Sequence, residues 1–190
     1  MSKYLKDLKT NLKRAILIAG AVMAYSLLPV SYHITLGKTM LQQDLKITAQ
    51  LALLHYIADS NDTVYIHIDT YGGEVLTIVK FLNAVDQTRA KTVSVNERIA
   101  LSGGAMIAFA TDERKASTYS VYLFHKAGRT TPLGRIIAPD NLYVSVLANK
   151  AMERNVYPCL TKDEISRYES GEDVSIDGQE LLNRECSGNE

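Results

Sequence analysis

Residues 63–85, which read TVYIHIDTYGGEVLTIVKFLNAV, decide the fold class. From Thr63 to Asp69 the chain alternates β-branched residues with others, which is the period of a half-buried strand. Gly72 and Gly73 then form a turn. The apolar residues after the turn recur at helical spacing: Val75, Ile78, Val79, Leu82 and Val85. A strand that passes through a glycine turn into a helix is the repeating unit of α/β folds.

The rest of the chain repeats this alternation of strands and helices. Further strands are predicted over residues 32–36, 92–95 and 121–124, and helices over 41–58, 103–109 and 141–154. Gly37 is predicted to close the first of these strands. Capping boxes that begin at Thr161 and Asp177 predict two more helices. The sequence therefore predicts an α/β fold with mostly parallel strands.

The composition limits the classes of function. The chain has 190 residues and a mass of 21.0 kDa, and 46% of its residues are hydrophobic, which suits a folded domain with a real core. Basic and acidic residues balance at 21 each, so the chain lacks the positive field of a general nucleic-acid binder. Two cysteines, Cys159 and Cys186, are too few for a disulfide scaffold or a thiolate zinc site.

The first thirty residues differ from the remainder. Residues 1–14 carry five basic side chains against one acid, and residues 15–28 carry no charge. This is the layout of a signal peptide or membrane anchor, but a full membrane span needs about twenty residues. An amphipathic packing helix fits the same pattern. Localisation therefore stays open between exported or membrane-anchored and cytoplasmic, and export would allow Cys159 and Cys186 to pair.

Three features lie where predicted strands end, which is where α/β folds place their sites. Gly72 and Gly73 either form an ordinary turn or aim backbone amides at an anion. Ser102 begins a helix of small residues and is either an N-cap or a nucleophile. His125 ends an apolar strand and is either a structural histidine or a general base.

In their order and spacing, the Gly72-Gly73 turn, Ser102 and His125 resemble the ClpP-like serine peptidases of the ClpP/crotonase superfamily. The resemblance covers about residues 31–185. It implies an α/β spiral of ββα units with a handle helix over residues 138–154, to which this chain adds an N-terminal apolar helix. It also divides the chain into a segment of residues 1–30 and a peptidase domain of residues 31–190.

The resemblance implies a serine, histidine and aspartate triad. Ser102 would attack the peptide carbonyl, His125 would remove the hydroxyl proton, and an acid would orient the imidazole. Backbone N–H groups of Gly73 and Gly103 would form the oxyanion hole. No metal or organic cofactor is implied.

The resemblance leaves two points to describe: the choice of the triad acid, and the departures from the family pattern that mark this chain as divergent. Asp173 lies forty-eight residues after His125 and is favoured as the acid, with Glu172 and Asp177 as alternatives in the same stretch. Thr-Tyr replaces the family's Ser-Pro before the glycine turn, a glycine replaces methionine after the serine, and Lys126 replaces Gln-Pro after the histidine. These differences indicate a phage-type or exported branch.

The resemblance also implies partners. ClpP-like subunits assemble into homo-oligomeric rings that enclose the active sites and cleave peptides or unfolded proteins. Residues 128–134 would lie along the substrate as a neighbouring strand. Whether a Clp-type ATPase acts with this chain is left open. Any contact with a membrane would be made by residues 15–28. The remaining histidines lack ligands at chelating spacing and are interpreted as structural or surface residues: His33, His55 and His67.

Three alternatives compete with the peptidase. A catalytically silent ClpP-like structural or regulatory subunit would keep the fold, but it has no reason to keep both Ser102 and His125. An acyl-CoA enzyme of the superfamily would use carboxylates such as Glu74 and Glu97, which leave that pair unexplained. A serine/lysine peptidase would need Lys126, which strand geometry points away from the His125 face. The peptidase interpretation is therefore favoured.

Overall fold

The computed structural model describes residues 13, 16–18, 20, 28–40, 45–131 and 134–184. The chain divides into two compact units, Met1–Val30 and Ser31–Glu190. In the first unit, residues 13, 16–18 and 20 are helical, and the side chains of residues 16–18 are exposed. No helix among the described residues is long and apolar enough to cross a membrane. Most of the predicted apolar segment, residues 15–28, lies outside the described residues.

The second unit contains eight described strands: β1 (Ser31–Met40), β2 (Thr63–Gly73), β3 (Lys91–Leu101), β4 (Glu113–Ala116), β5 (Val121–Phe124), β6 (Gly128–Thr131), β7 (Gly134–Ile137) and β8 (Val174–Asp177). Six of them form one sheet in the order β1-β2-β3-β5-β8, with β4 beside β3. All pairs in this sheet are parallel except β5 and β8. The prediction of an α/β fold with mostly parallel strands is confirmed.

The helices of this unit are α1 (Leu45–Ala52, followed by a π turn over Leu53–Ile57), α2 (Val75–Gln87), α3 (Gly103–Phe109), α4 (Tyr143–Asn155), α5 (Lys162–Ser170) and α6 (Gly178–Leu182), with a 3-10 turn at Tyr157–Cys159. Alternate residues of β2 are buried, as the period-2 pattern predicts. The inward residues Val64, Ile66 and Ile68 join the buried faces of α2 and α3 in one core.

Several element boundaries differ from the predicted ones. Gly37 does not close β1, because that strand continues through a register shift at Lys38, whose φ is 54°. β2 likewise runs through Gly72 and Gly73, since β1 continues to pair with both glycines. The predicted helix over residues 141–154 begins instead at Tyr143. Backbone pairing with a neighbouring strand thus overrides the local tendency of glycine to end a strand.

The segment predicted to lie along the substrate, residues 128–134, contains β6 and the first residue of β7, and these two strands pair as a hairpin. Residues 132 and 133, between the strands, are outside the described part. The hairpin precedes α4, and together they form the handle that the resemblance implies. Three strands were not predicted: β4, β7, and β8, which pairs antiparallel with β5. The capping box at Thr161 is present, and the Asp177 side chain accepts the Glu180 N–H at the start of α6.

Candidate active site

A buried threonine holds the glycine turn at the end of β2. Thr70 Oγ1 accepts a hydrogen bond from the Gly72 N–H at 3.1 Å and donates one to the Lys38 carbonyl. Thr70 is completely buried, so its hydroxyl is shielded from water. Gly72 has a φ of 94°, a conformation that favours glycine. Thr70 therefore fixes the turn, a role that the sequence analysis did not assign.

Ser102 lies at the junction of β3 and α3 in an unusual backbone conformation. Its φ of 54° and ψ of −122° are rarely adopted by residues with a side chain, and such a conformation costs roughly 1–3 kcal/mol. The surrounding backbone holds it: the Ser102 N–H donates to the Leu123 carbonyl at 2.7 Å, and the Ser102 carbonyl accepts the Met106 N–H at 3.2 Å. The Ser102 side chain makes no capping hydrogen bond, so Ser102 is not a conventional N-cap.

The two glycine-containing turns lie directly against each other. A Cβ atom on Gly72 would be 2.9 Å from both the Leu101 carbonyl oxygen and the Ser102 Cβ, and 3.1 Å from the Gly103 nitrogen. A Cβ on Gly103 would collide with the Ile78 side chain. The close approach therefore requires glycine at both positions. Gly103 is the first residue of α3, so its N–H has no acceptor within the helix.

Ser102 and His125 line one cleft, together with Gly73 and Gly103. His125 follows directly after β5, and both Ser102 and His125 are half-buried. The described residues include no hydrogen bond between Ser102 Oγ and the His125 ring. The other lining residues are all apolar: Val75, Ile78, Val79, Leu82, Met106, Ala127, Ala148 and Ala151. The fold thus brings four of the five predicted site residues to one apolar cleft.

The His125 ring is oriented by the backbone of the next residue. Its Nδ1 lies 2.8 Å from the Lys126 carbonyl oxygen. A carbonyl oxygen can only accept a hydrogen bond, so Nδ1 carries the proton. In the neutral ring, Nε2 then keeps its lone pair, which is the form that can accept a proton from a nucleophile.

The three candidate acids lie in different surroundings. The β5–β8 ladder ends with the pair Phe124 and Val174, and His125 and Asp173 are the residues next to that pair on the two chain segments. Glu172 forms an ion pair with Arg167 at 3.1 Å, and Asp177 caps α6. Among the described residues, however, the His125 ring is hydrogen-bonded to the Lys126 carbonyl and not to a carboxylate.

The other histidines lie apart from this cleft. His33 Nδ1 and His67 Nε2 form a hydrogen bond of 2.9 Å on β1 and β2, and the His55 ring contacts Tyr56 edge-on. In the described part of the chain, no three His, Cys, Asp or Glu residues are grouped so that they could hold a metal ion. Cys159 is disulfide-bonded, whereas Cys186 lies outside the described residues.

Comparison with known families identifies the class of protein. A family model described as Clp protease matches residues 19–136, which are 118 of the 190 residues. The chain therefore belongs to the Clp protease family. The match includes Ser102 and His125 and ends before Asp173. No curated protein sequence matches the chain.

Solved structures share the fold. A mutant of the 1510-N membrane-bound stomatin-specific protease superposes with a TM-score of 0.58 at 12% identity, covering 82% of this chain and 75% of that one. A mutant of ClpP1 from Listeria monocytogenes superposes with a TM-score of 0.55 at 15% identity, covering 80% of this chain and 85% of that one. At these identities the likeness establishes the fold alone. The predicted ClpP-like fold is confirmed.

Proposed function

We propose that this chain is a serine endopeptidase in which Ser102 is the nucleophile and His125 is the general base. One observation carries the proposal. Ser102 sits at a strand-to-helix junction with a positive φ, makes no capping bond, and lines the same cleft as His125. A serine that only began a helix would adopt extended backbone angles and accept a hydrogen bond from the first turn.

The chemistry is that of acyl transfer. Ser102 Oγ attacks the carbonyl carbon of the scissile peptide while His125 Nε2 takes the hydroxyl proton. The tetrahedral intermediate collapses as His125 returns that proton to the leaving amine, which gives an acyl-enzyme. Water, activated by the same imidazole, then releases the second product and restores the serine.

The negative oxygen of the intermediate would be stabilised by the backbone N–H groups of Gly73 and Gly103. Both glycines line the cleft beside Ser102. A Cβ on Gly73 would collide with the Met40 carbonyl, and a Cβ on Gly103 would collide with the Ile78 side chain. Loss of one such donor commonly costs about 3 kcal/mol of transition-state stabilisation.

Asp173 is proposed as the acid that stabilises the imidazolium. The support is position: the last pair of the β5–β8 ladder joins Phe124 to Val174, and His125 and Asp173 are the residues next to that pair. Residues directly opposite in an antiparallel pair project to the same face of the sheet, with Cβ atoms about 5 Å apart.

The proposed substrate is an extended peptide or an unfolded protein. A second cavity of about 520 Å³ adjoins the active-site cleft and shares Val75 and Ala127 with it. Its remaining lining is mostly apolar and comes largely from the hairpin and the start of the handle helix: Glu74, Leu76, Gly128, Ile136, Ile137, Ala138, Pro139, Leu142 and Val144. A peptide lying beside β6 would place its scissile bond at Ser102 and bind through backbone hydrogen bonds.

Assembly into a homo-oligomeric ring is proposed from the handle. Apolar side chains of β7 and the start of α4 face solvent in the single chain: Ile136, Ile137, Leu142, Tyr143 and Val146. Contiguous apolar surface of this kind commonly marks an interface between protein chains. Residues 31–190 would form the peptidase domain, and residues 1–30 are proposed as a signal or anchor segment, with a packing helix as the alternative.

The test compares wild type with Ser102→Ala on a fluorogenic unfolded protein. Circular dichroism and light scattering verify that both chains have the same fold and assembly. We expect the substitution to abolish hydrolysis, because the alanine cannot form the acyl-enzyme. Equal rates would overturn the proposal, and a folded, assembled wild type without activity would favour the silent structural subunit.

A further inference from the structure

The chain contains two cysteines, and the first of them is bonded in the structure. Cys159 is disulfide-bonded, and the described residues include no free cysteine. Cys186 is the only other cysteine of the sequence. Within a single chain, Cys186 is therefore the only residue that can supply the second sulfur of this bond.

A largely buried arginine independently brings the end of the chain back to Cys159. Arg184 Nη1 donates to the Cys159 carbonyl at 3.0 Å, and the two Nη groups donate to the two carboxylate oxygens of Glu164 at 2.8 Å. The side chains of Arg184 and Glu164 are only 15% and 12% exposed. A single residue separates Arg184 from Cys186, and two residues of chain span at most about 7 Å. Arg184 thus anchors the chain within reach of Cys159.

A bond between the two cysteines encloses every candidate for the triad acid. Residues 160–185, the enclosed segment, contain α5, β8 and α6. Glu172, Asp173 and Asp177 all lie in this segment, whereas Ser102 and His125 lie outside it. The bond therefore closes the part of the chain that must supply the acid, whichever of the three carboxylates is used.

Contacts inside the enclosed segment connect its ends to the active site. Arg184 binds Glu164 in the first turn of α5. From the same helix, Arg167 Nη2 donates to the Asp173 carbonyl at 3.3 Å. β8 follows directly and pairs with β5, whose last residue precedes His125. Release of the segment from the sheet would therefore withdraw the chain that runs beside His125.

We propose that a disulfide between Cys159 and Cys186 holds the enclosed segment, and with it the triad acid, on the sheet, and that reduction of this bond weakens the peptidase. A cross-link lowers the entropy that the segment gains when it leaves the sheet, so it favours the docked form. Only the statement about the peptidase rests on the proposed function.

The redox step is a thiol–disulfide exchange. Each of the two thiols gives up one proton and one electron as the S–S bond of the protein forms. A disulfide oxidant such as oxidised glutathione accepts both electrons and both protons and becomes two thiols. Such bonds persist in oxidising compartments, and the proposal of residues 1–30 as a signal or anchor segment agrees with that environment.

The first test establishes the bond in the full chain. The protein is equilibrated with oxidised and reduced glutathione, alkylated without further reduction, digested and analysed by mass spectrometry. We expect a cross-linked peptide pair that joins Cys159 to Cys186, and no alkylated cysteine. Two alkylated cysteines, or a bond between the Cys186 residues of two chains, would overturn the inference.

The second test measures the restraint on the enclosed segment and needs no activity. Hydrogen exchange compares the oxidised chain with Cys186→Ser, which removes the bond and leaves the buried Cys159 in place. We expect the amides of α5 and β8 to exchange roughly 10- to 100-fold faster in the variant. The amides of β2, which lies between β1 and β3 and outside the segment, should change much less. Equal protection of β8 in both proteins would contradict the proposal.

Two controls separate the bond from the side chains. Cys159→Ala breaks the same bond from its other end and should reproduce the faster exchange of β8. Dithiothreitol should accelerate this exchange in wild type and leave Cys186→Ser unchanged, with reduction verified by alkylation. If dithiothreitol failed to reproduce in wild type the exchange of Cys186→Ser, the effect would belong to the serine and the inference would be wrong.

The third test links the bond to hydrolysis. On reduction of wild type, the temperature above which peptide hydrolysis declines should fall by roughly 5–15 °C, because the segment then leaves the sheet more readily. The same treatment should not alter this temperature in Cys186→Ser. An equal temperature for both forms of wild type would contradict the link to the active site. Failure of the proposed function would be seen separately, as hydrolysis that survives Ser102→Ala while the exchange results stand.

Discussion

Replacing Thr70 with valine removes one hydroxyl from the interior of the site and leaves the shape of the side chain nearly unchanged. That hydroxyl accepts the Gly72 N–H and donates to the Lys38 carbonyl, and Thr70 is completely buried. The valine retains a methyl group toward Gly104, against which the Thr70 Cγ2 packs. The substitution therefore isolates the contribution of the two hydrogen bonds.

The expected loss of stability follows from the surroundings of the two backbone groups. Gly72 is buried, so its N–H would be left without a partner, at a cost of about 1–3 kcal/mol. Lys38 is exposed, so its carbonyl can accept a hydrogen bond from water instead. Loss of its bond to Thr70 therefore adds only about 0.5–1 kcal/mol to the destabilisation. We expect Thr70→Val to lower the free energy of unfolding by roughly 1.5–4 kcal/mol.

Thr70→Ser is the matched variant, because it keeps the hydroxyl and loses the methyl group, at a cost of about 1 kcal/mol. Guanidinium unfolding at neutral pH measures both changes. Since the turn also carries the Gly73 amide, kcat should fall roughly 10- to 100-fold in Thr70→Val and far less in Thr70→Ser. A valine variant as stable as wild type, or a serine variant less stable than the valine variant, would refute the reasoning.

Two further predictions concern acidic residues. Two hydrogen bonds of 2.8 Å from Arg184 lower the pKa of Glu164 to about 2. A pKa that falls from 4.5 to about 2 on folding corresponds to roughly 3 kcal/mol of stability of the folded state. This contribution is fully present above pH 4.5 and is lost as the pH falls toward 2. Glu164→Gln should remove this part of the pH dependence of the unfolding free energy. If the unfolding free energy of the variant fell as steeply between pH 4.5 and pH 2 as that of wild type, the assignment to Glu164 would be wrong. Asp173→Asn should reduce kcat/KM far more than Glu172→Gln or Asp177→Asn, and equal losses would mean that another group is the acid.

The fold class was predictable because its signals are local and periodic. The alternation over residues 63–69 and the helical spacing that begins at Val75 are physical consequences of a strand and a helix that share one core. β8 was not predicted, because Asp177 marks the start of a helix directly after it and its pairing partner, β5, lies about fifty residues away. β4 has the sequence Glu-Arg-Lys-Ala, which lacks the residues that favour strands.

The candidate residues of the site could be named from the sequence, but the contacts between them could not. Ser102 and His125 could be named because serine and histidine chemistry at strand ends is recognisable from residue type and spacing. That Ser102 is not a conventional N-cap follows from its φ, which no local pattern encodes. The bond from Thr70 to the Lys38 carbonyl joins residues thirty-two positions apart, so it follows from tertiary structure alone.

The measurement that tests the central claim most directly is labelling of the full chain with a fluorophosphonate probe, followed by mass spectrometry to locate the modified residue. The probe reacts with a serine only where a neighbouring base activates it. We predict modification at Ser102 in wild type and its loss in His125→Ala. Modification of another residue, or no modification of a folded and assembled wild type, would contradict the assignment of Ser102 and His125 as the catalytic pair.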